Sequence, residues 1–71
     1  MLHEYDVVVL KKSLPGIAVP VSSEGTIVMV HDADAQAYEV EFFDQNQKSI
    51  DICTVVGDEY LELKWAYRDM K

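Results

Sequence analysis

An all-β fold, built as one small five-stranded barrel, is what this chain predicts, and three observations carry it. Short runs alternate apolar and polar residues with a period of two. They recur at intervals of about 8–12 residues between turn-forming clusters, and no long stretch has the 3.6-residue periodicity of an amphipathic helix. The 71 residues suit a single domain, expected to span 1–71 with its barrel over about 5–63 and a short tail or helical turn over 64–71.

The first run, YDVVVL from Tyr5, is short and β-branched, which favours a strand; Lys11 and Lys12 end it. KSLPGIAVPVSS then holds Pro15-Gly16, a strong turn signal, and Pro20, which has no amide for a ladder, so a long irregular connection is expected. Gly25 suits a bulge or tight bend at the entry to the second strand. In TIVMV, Val28 and Val30 share one side, Ile27 and Met29 the other. HDADAQ is a turn with Asp32 and Asp34 as side-chain acceptors.

AYEVEFFD alternates cleanly, with Tyr38, Val40 and Phe42 on a dry side and Glu39 and Glu41 on a wet one, until Phe43 breaks the pattern. Asp44-Gln45-Asn46-Gln47 makes a second turn, in which Asn46 is the residue suited to a left-handed conformation. KSIDICTVV is the fourth strand, with Ile50 and Ile52 on one face and Asp51 and Cys53 on the other. Gly57-Asp58-Glu59 interrupts, and YLELKW is a short fifth strand before a frayed or singly turned AYRDMK. The dry phase predicts a core of Val8, Leu10, Val28, Val30, Val40, Phe42, Ile52 and Leu61.

Composition narrows the function. A chain that is 49% hydrophobic with three glycines and two prolines is too apolar for disorder. Its small size limits expected stability to about 4–10 kcal/mol. Thirteen acidic against six basic residues give a net charge of −7, which repels nucleic acid and attracts a cationic protein. The lone Cys53 makes no intramolecular disulfide, the N-terminal MLHEYDVVVLKK lacks a basic leader, and no apolar run approaches a membrane span of ~18 residues. A cytoplasmic protein with no membrane partner is the expectation.

The succession DVVVL, LPG with its loop, EGTIVMV, AYEVEFFD and a final GDEYLEL resembles the bacterial family domain of unknown function 4926, over roughly residues 5 to 63. The tandem of G-T-I-V-x-V and A-Y-E-V-E-F is its distinctive part; each alone is common in SH3-like barrels, including the nucleic-acid-associated KOW type. Relatives usually carry a glycine in the turn after the acidic strand, where this chain has Asn46 and Gln47. The resemblance implies an SH3-like barrel without an established activity or catalytic residues to carry over. Family members look like small stand-alone proteins from mobile or defence-associated gene neighbourhoods, which implies an antitoxin or immunity role.

The chemistry-bearing residues fall short of a catalytic motif. Asp32-Ala-Asp34 opens like a calcium loop, but Gln36, Ala37 and Phe43 stand where a further ligand, the glycine and the closing glutamate belong. His3 and His31 lack metal-ligand spacing, and Ser22 and Ser23 sit in no nucleophile elbow. A barrel this small is expected to leave little room for a pocket of the usual ~300 Å³. Cys53 reads as a core thiol, since no cation or helix N-terminus accompanies it in sequence. Neither an enzyme nor a cofactor is expected.

What remains is surface. Glu39 and Glu41, about 7 Å apart by strand rise, form an acidic face expected to extend toward Asp51 and Glu62. Phe43, Trp65 and Tyr67, with Tyr60 nearby, are aromatics of the kind enriched at interfaces, although one of them is needed to close the barrel end. The expected function is therefore a non-enzymatic module that binds a basic protein through Glu39, Glu41, Phe43, Trp65 and Tyr67. The alternatives are a KOW-like nucleic-acid module, and a homodimer joined through open edge strands as the whole function.

Overall fold

A computed structural model describes residues 2–66. Five strands lie in one antiparallel sheet: β1 (Val7–Leu10), β2 (Glu24–Asp32), β3 (Ala37–Phe43), β4 (Ser49–Val56) and β5 (Leu61–Trp65). A 3₁₀ turn, Asp58–Tyr60, precedes β5. The spatial order is β4-β3-β2-β1-β5, so consecutive strands form a meander and the chain returns to set β5 beside β1. This all-β order, with its 3₁₀ turn before the last strand, is consistent with an SH3-like barrel. β5 runs to Trp65, which pairs with Val7, so Lys64 and Trp65 belong to the sheet rather than to a tail beginning at 64. Ala66 is described and buried, whereas Tyr67 and the residues after it lie outside the described residues.

The core is a cluster in which Val8, Leu10, Ile27, Tyr38, Val40, Phe42 and Val55 are fully buried. β3 is its spine and alternates as expected, with Tyr38, Val40 and Phe42 inside and Glu39, Glu41 and Phe43 on the other face. The long connection from β1 to β2 adds Leu14 and Val19, with Ile17 packed against them. It folds inward through the expected Pro-Gly turn. The Ile17 amide donates to Leu14 O at 3.2 Å, and Gly16 at φ 74° occupies the left-handed corner that a type II turn requires.

Two strands correct the expected core. In β2 the register shifts between Ile27, opposite Val40, and Met29, opposite Glu39. Val28 is the additional residue of a bulge, and one inserted residue reverses the phase of a strand. Odd positions (Gly25, Ile27) therefore face inward before it and Val30, opposite Tyr38, faces inward after it. Ile27, not Val28, is the core residue. In β4 the inward residues are Cys53 and Val55, opposite Val40 and Tyr38, whereas Ile52 is 52% exposed opposite Glu41. Its isoleucines lie mainly on the exposed phase of an edge strand.

The turns also depart in detail. Gly25 is needed for space rather than for a bend: a Cβ there would meet Phe42 Cδ1 and Val40 Cγ1 at 2.8 Å. The left-handed residue of the β3–β4 turn is Gln47 (φ 65°), not Asn46. Asp44 closes that turn, its Oδ1 accepting the amides of Asn46 at 2.8 Å and Lys48 at 3.0 Å. Asp32 does the same before β3 for Asp34 and Ala35, at 3.0 and 3.2 Å.

Candidate functional site

The sheet has an inner face on the core and an outer face whose residues follow from the register. One row across the outer face runs Glu62, Val9, Glu24, Phe43, Ser49. The next runs Trp65, Val7, Thr26, Glu41, Ile52, and a third runs Met29, Glu39, Thr54. Carboxylates and apolar side chains are thus interspersed across this face. Glu39, Glu41, Phe43 and Trp65, expected at a partner surface, share this face with Glu62. Asp51 does not: it stands opposite Phe42, in the inward phase.

Glu39 is the most fixed of these acids. Its Oε1 accepts from Thr54 Oγ1 at 2.8 Å and from His31 Nε2 at 3.0 Å. Those two hydrogen bonds, His31 first, hold its carboxyl below the usual glutamate range. The isolated protein thus gives Glu39 local partners, whereas Glu41 sits between Thr26 and Ile52, neither of them charged. At the other end of the face Lys64 Nζ engages Glu24 Oε1.

An open cleft of ≈ 490 Å³ crosses the end of this face, between the β1–β2 connection and the β3–β4 turn, with Val21, Phe43 and Ile50 among its walls. A second of ≈ 340 Å³ adjoins it through Glu24, Phe43, Asp44 and Gln47 and reaches Val7 and Trp65. The groove exceeds the room expected of so small a barrel because it lies outside the sheet, on loops, and not within it. Trp65, 42% exposed, forms part of it, while Tyr60 packs against the core. Glu24, Val7 and Val21 were missed as candidates: the β2–β3 pairing sets Glu24 beside Phe43, the β1–β5 pairing sets Val7 beside Trp65, and Val21 comes from the β1–β2 connection.

Ser22 and Ser23 precede β2, and His31 lies near its far end, bonded to Glu39. Cys53 is buried, and burial, followed by the nearby charges of Asp51 and Glu39, pushes its thiol up, away from the reactive thiolate. Asp32 commits one carboxylate oxygen to turn amides. Among the described residues, three or more metal-ligating side chains converge nowhere.

Two buried residues carry polar groups: Asp6, whose burial was not anticipated, and Tyr38, whose hydroxyl partner was not. Asp6, 1% exposed, accepts the amide of His3 at 2.9 Å and so pins the N-terminal segment. Tyr38, fully buried, donates its hydroxyl to Asp58 Oδ1 at 2.7 Å, linking β3 to the 3₁₀ turn.

The fold and face define a small antiparallel β domain with an acidic, partly apolar outer surface. The chain belongs to the family described as Domain of unknown function (DUF4926), whose model matches residues 4–61. That span covers β1 to β4, the 3₁₀ turn and the first residue of β5. No curated protein and no solved structure matches it. No helix among the described residues is long and apolar enough to cross a membrane.

Proposed function

We propose that this protein is a non-enzymatic binding module of the bacterial cytoplasm that docks a basic protein through its outer sheet face, in the manner of an antitoxin or immunity protein. The observation that supports this most is the row Trp65, Val7, Thr26, Glu41, Ile52 beside the row Glu62, Val9, Glu24, Phe43. Apolar side chains there offer area, and interleaved carboxylates offer charge to an incoming Lys or Arg. Such a mixture suits a partner of opposite sign. Glu41, without a cation opposite it in the sheet, gains a charge-assisted hydrogen bond only on binding. The net charge of −7 speeds the encounter over a longer range.

The test compares wild type with Glu39→Lys/Glu41→Lys and with Trp65→Ala. The partner is isolated from the native host on the wild-type protein, and association is timed at two salt concentrations. The charge-reversed pair should associate at least about tenfold more slowly and lose most of its salt dependence. Trp65→Ala should shorten the lifetime of the complex instead. Unchanged rates in both variants would remove the outer face from the function.

A further inference from the structure

We propose that the free edge of β4 pairs with the same edge of a second copy, joining two sheets into one antiparallel ten-stranded sheet. β4 ends the strand order and, among the described residues, has no neighbour beyond it. Natural edges are blunted by lysine, proline or short length. This one is eight residues long, SIDICTVV, with neither lysine nor proline and Asp51 as its one charge. Ile50, Ile52 and Val56 stand exposed along it at 38%, 52% and 58%.

The direction of its amides follows from two bonds. The Gly57 amide donates to Gln36 O, on the β3 side, at 2.9 Å. The Ile52 amide instead takes the carboxylate of the residue before it, Asp51 Oδ1, at 2.8 Å. From Asp51 to Val56 the ladder to β3 is regular, so the amides of Ile52, Thr54 and Val56 alternate away from β3 toward the open side.

That edge is self-complementary. An antiparallel pairing about a two-fold axis at Thr54 sets Ile52 against Val56 of the second copy, Thr54 against Thr54, and Cys53 against Val55. Five consecutive positions then form uncharged, mainly β-branched pairs, the kind that stabilises neighbouring strands. Asp51 falls opposite Gly57, so like charges do not meet. The contact is isologous and closes at two copies. Asp51 holds the Ile52 amide in the monomer and yields it to the Val56 carbonyl in the dimer, so Asp51 competes with association. Both copies carry −7, and salt therefore tightens the pair, whereas it weakens binding of a basic protein. The proposal stands apart from the partner reading, because the outer face stays open in such a dimer.

Sedimentation of the full chain from about 10 μM to about 1 mM, at roughly 50 and 500 mM salt, reads it directly. The expected result is a reversible doubling of the 8.1 kDa mass, tighter at high salt. Asp51→Ala should tighten it further. Ile52→Lys and Thr54→Pro, both altered on the open side, should weaken it more than about tenfold while melting near wild type. Should either variant fail to fold, amide exchange in the wild type decides, with protection of Ile52, Thr54 and Val56 rising with concentration. A chain that stays monomeric throughout, a dimer that loosens with salt, or one that survives both variants with those amides unprotected overturns the proposal.

Discussion

The Tyr38 hydroxyl donates to Asp58 Oδ1 at 2.7 Å, joining the start of β3 to the 3₁₀ turn that launches β5. The ring is fully buried, and burial first, then the hydrogen bond and charge of Asp58, push the phenol up from 10.0 to about 12. A phenol whose folded pKa is raised favours its neutral form. Its stabilisation is complete below pH 10, where folded and unfolded states are both protonated, and is lost as pH rises from 10 toward 12. By linkage the loss is about 2–3 kcal/mol, a large share of a small domain's stability. Urea melts between pH 9 and pH 12, compared with Tyr38→Phe, check it. The variant should start about 1 kcal/mol lower for the lost hydrogen bond and decline less steeply with pH. Parallel curves would detach the alkaline loss from Tyr38.

The β3 register makes a second expectation, which contrasts two large apolar residues. Phe42 is fully buried and Ile52 is half exposed on the opposite phase. Phe42→Ala should cost about 3–5 kcal/mol, enough to leave the chain largely unfolded at moderate temperature. Ile52→Ala should change stability by less than about 1 kcal/mol, measured on dilute monomer. Thermal or urea melts of the two variants side by side check the assignment, and equal losses would mean that β4 pairs one residue out of register.

That contrast also marks where the sequence was legible. β3 could be read because its wet positions are glutamates and its dry ones large apolar residues, leaving one phase open to it. The strands of β2 and β4 carry apolar residues on both phases, so hydrophobicity alone does not orient them. In β2 a bulge at Val28 exchanges the phases midway, and in β4 the larger Ile52 lies outside while the smaller Cys53 lies inside. Pairing partners decide both, and these are set by the neighbouring strand rather than by the strand's own sequence. The same holds for the outer face: Glu39, Glu41, Phe43 and Trp65 stand out by residue type, whereas Glu24 and Val7 become neighbours of Trp65 only through the return of β5 to β1.

Gly25 yields a third expectation. An added Cβ would meet Phe42 Cδ1 and Val40 Cγ1 at 2.8 Å and the Glu41 carbonyl at 3.1 Å. Two of those neighbours are fully buried core residues, and the third is backbone. Gly25→Ala should therefore destabilise by about 1–3 kcal/mol through overpacking. Shortening the neighbour should relieve it, so Gly25→Ala with Phe42→Leu should cost less than the two changes summed. Strict additivity in a double-mutant cycle would place the cost in the β2 backbone instead.

The last expectation separates the protein-binding reading from its nucleic-acid rival. A polyanion is held by cations that displace its counterions, so affinity depends on free Lys and Arg along one surface. Here the described residues carry four lysines, and two are engaged with acids: Lys12 with Glu59 at 3.7 Å and Lys64 with Glu24. Lys48 closes the β3–β4 turn and Lys11 follows β1, on no common strand face. The outer face that would meet a strand of nucleic acid carries Glu24, Glu39, Glu41 and Glu62. Base stacking on Trp65 and Phe43 would have to outweigh that repulsion, and one or two stacked bases supply only about 1–3 kcal/mol each. Fluorescence titration of labelled single- and double-stranded oligonucleotides at physiological salt should therefore give no saturable binding. Micromolar affinity that falls steeply with added salt would reverse the reading in favour of a KOW-like module. In that case the lysines rather than the glutamates become the residues to mutate, and the slope of log affinity against log salt would say how many of them touch phosphate.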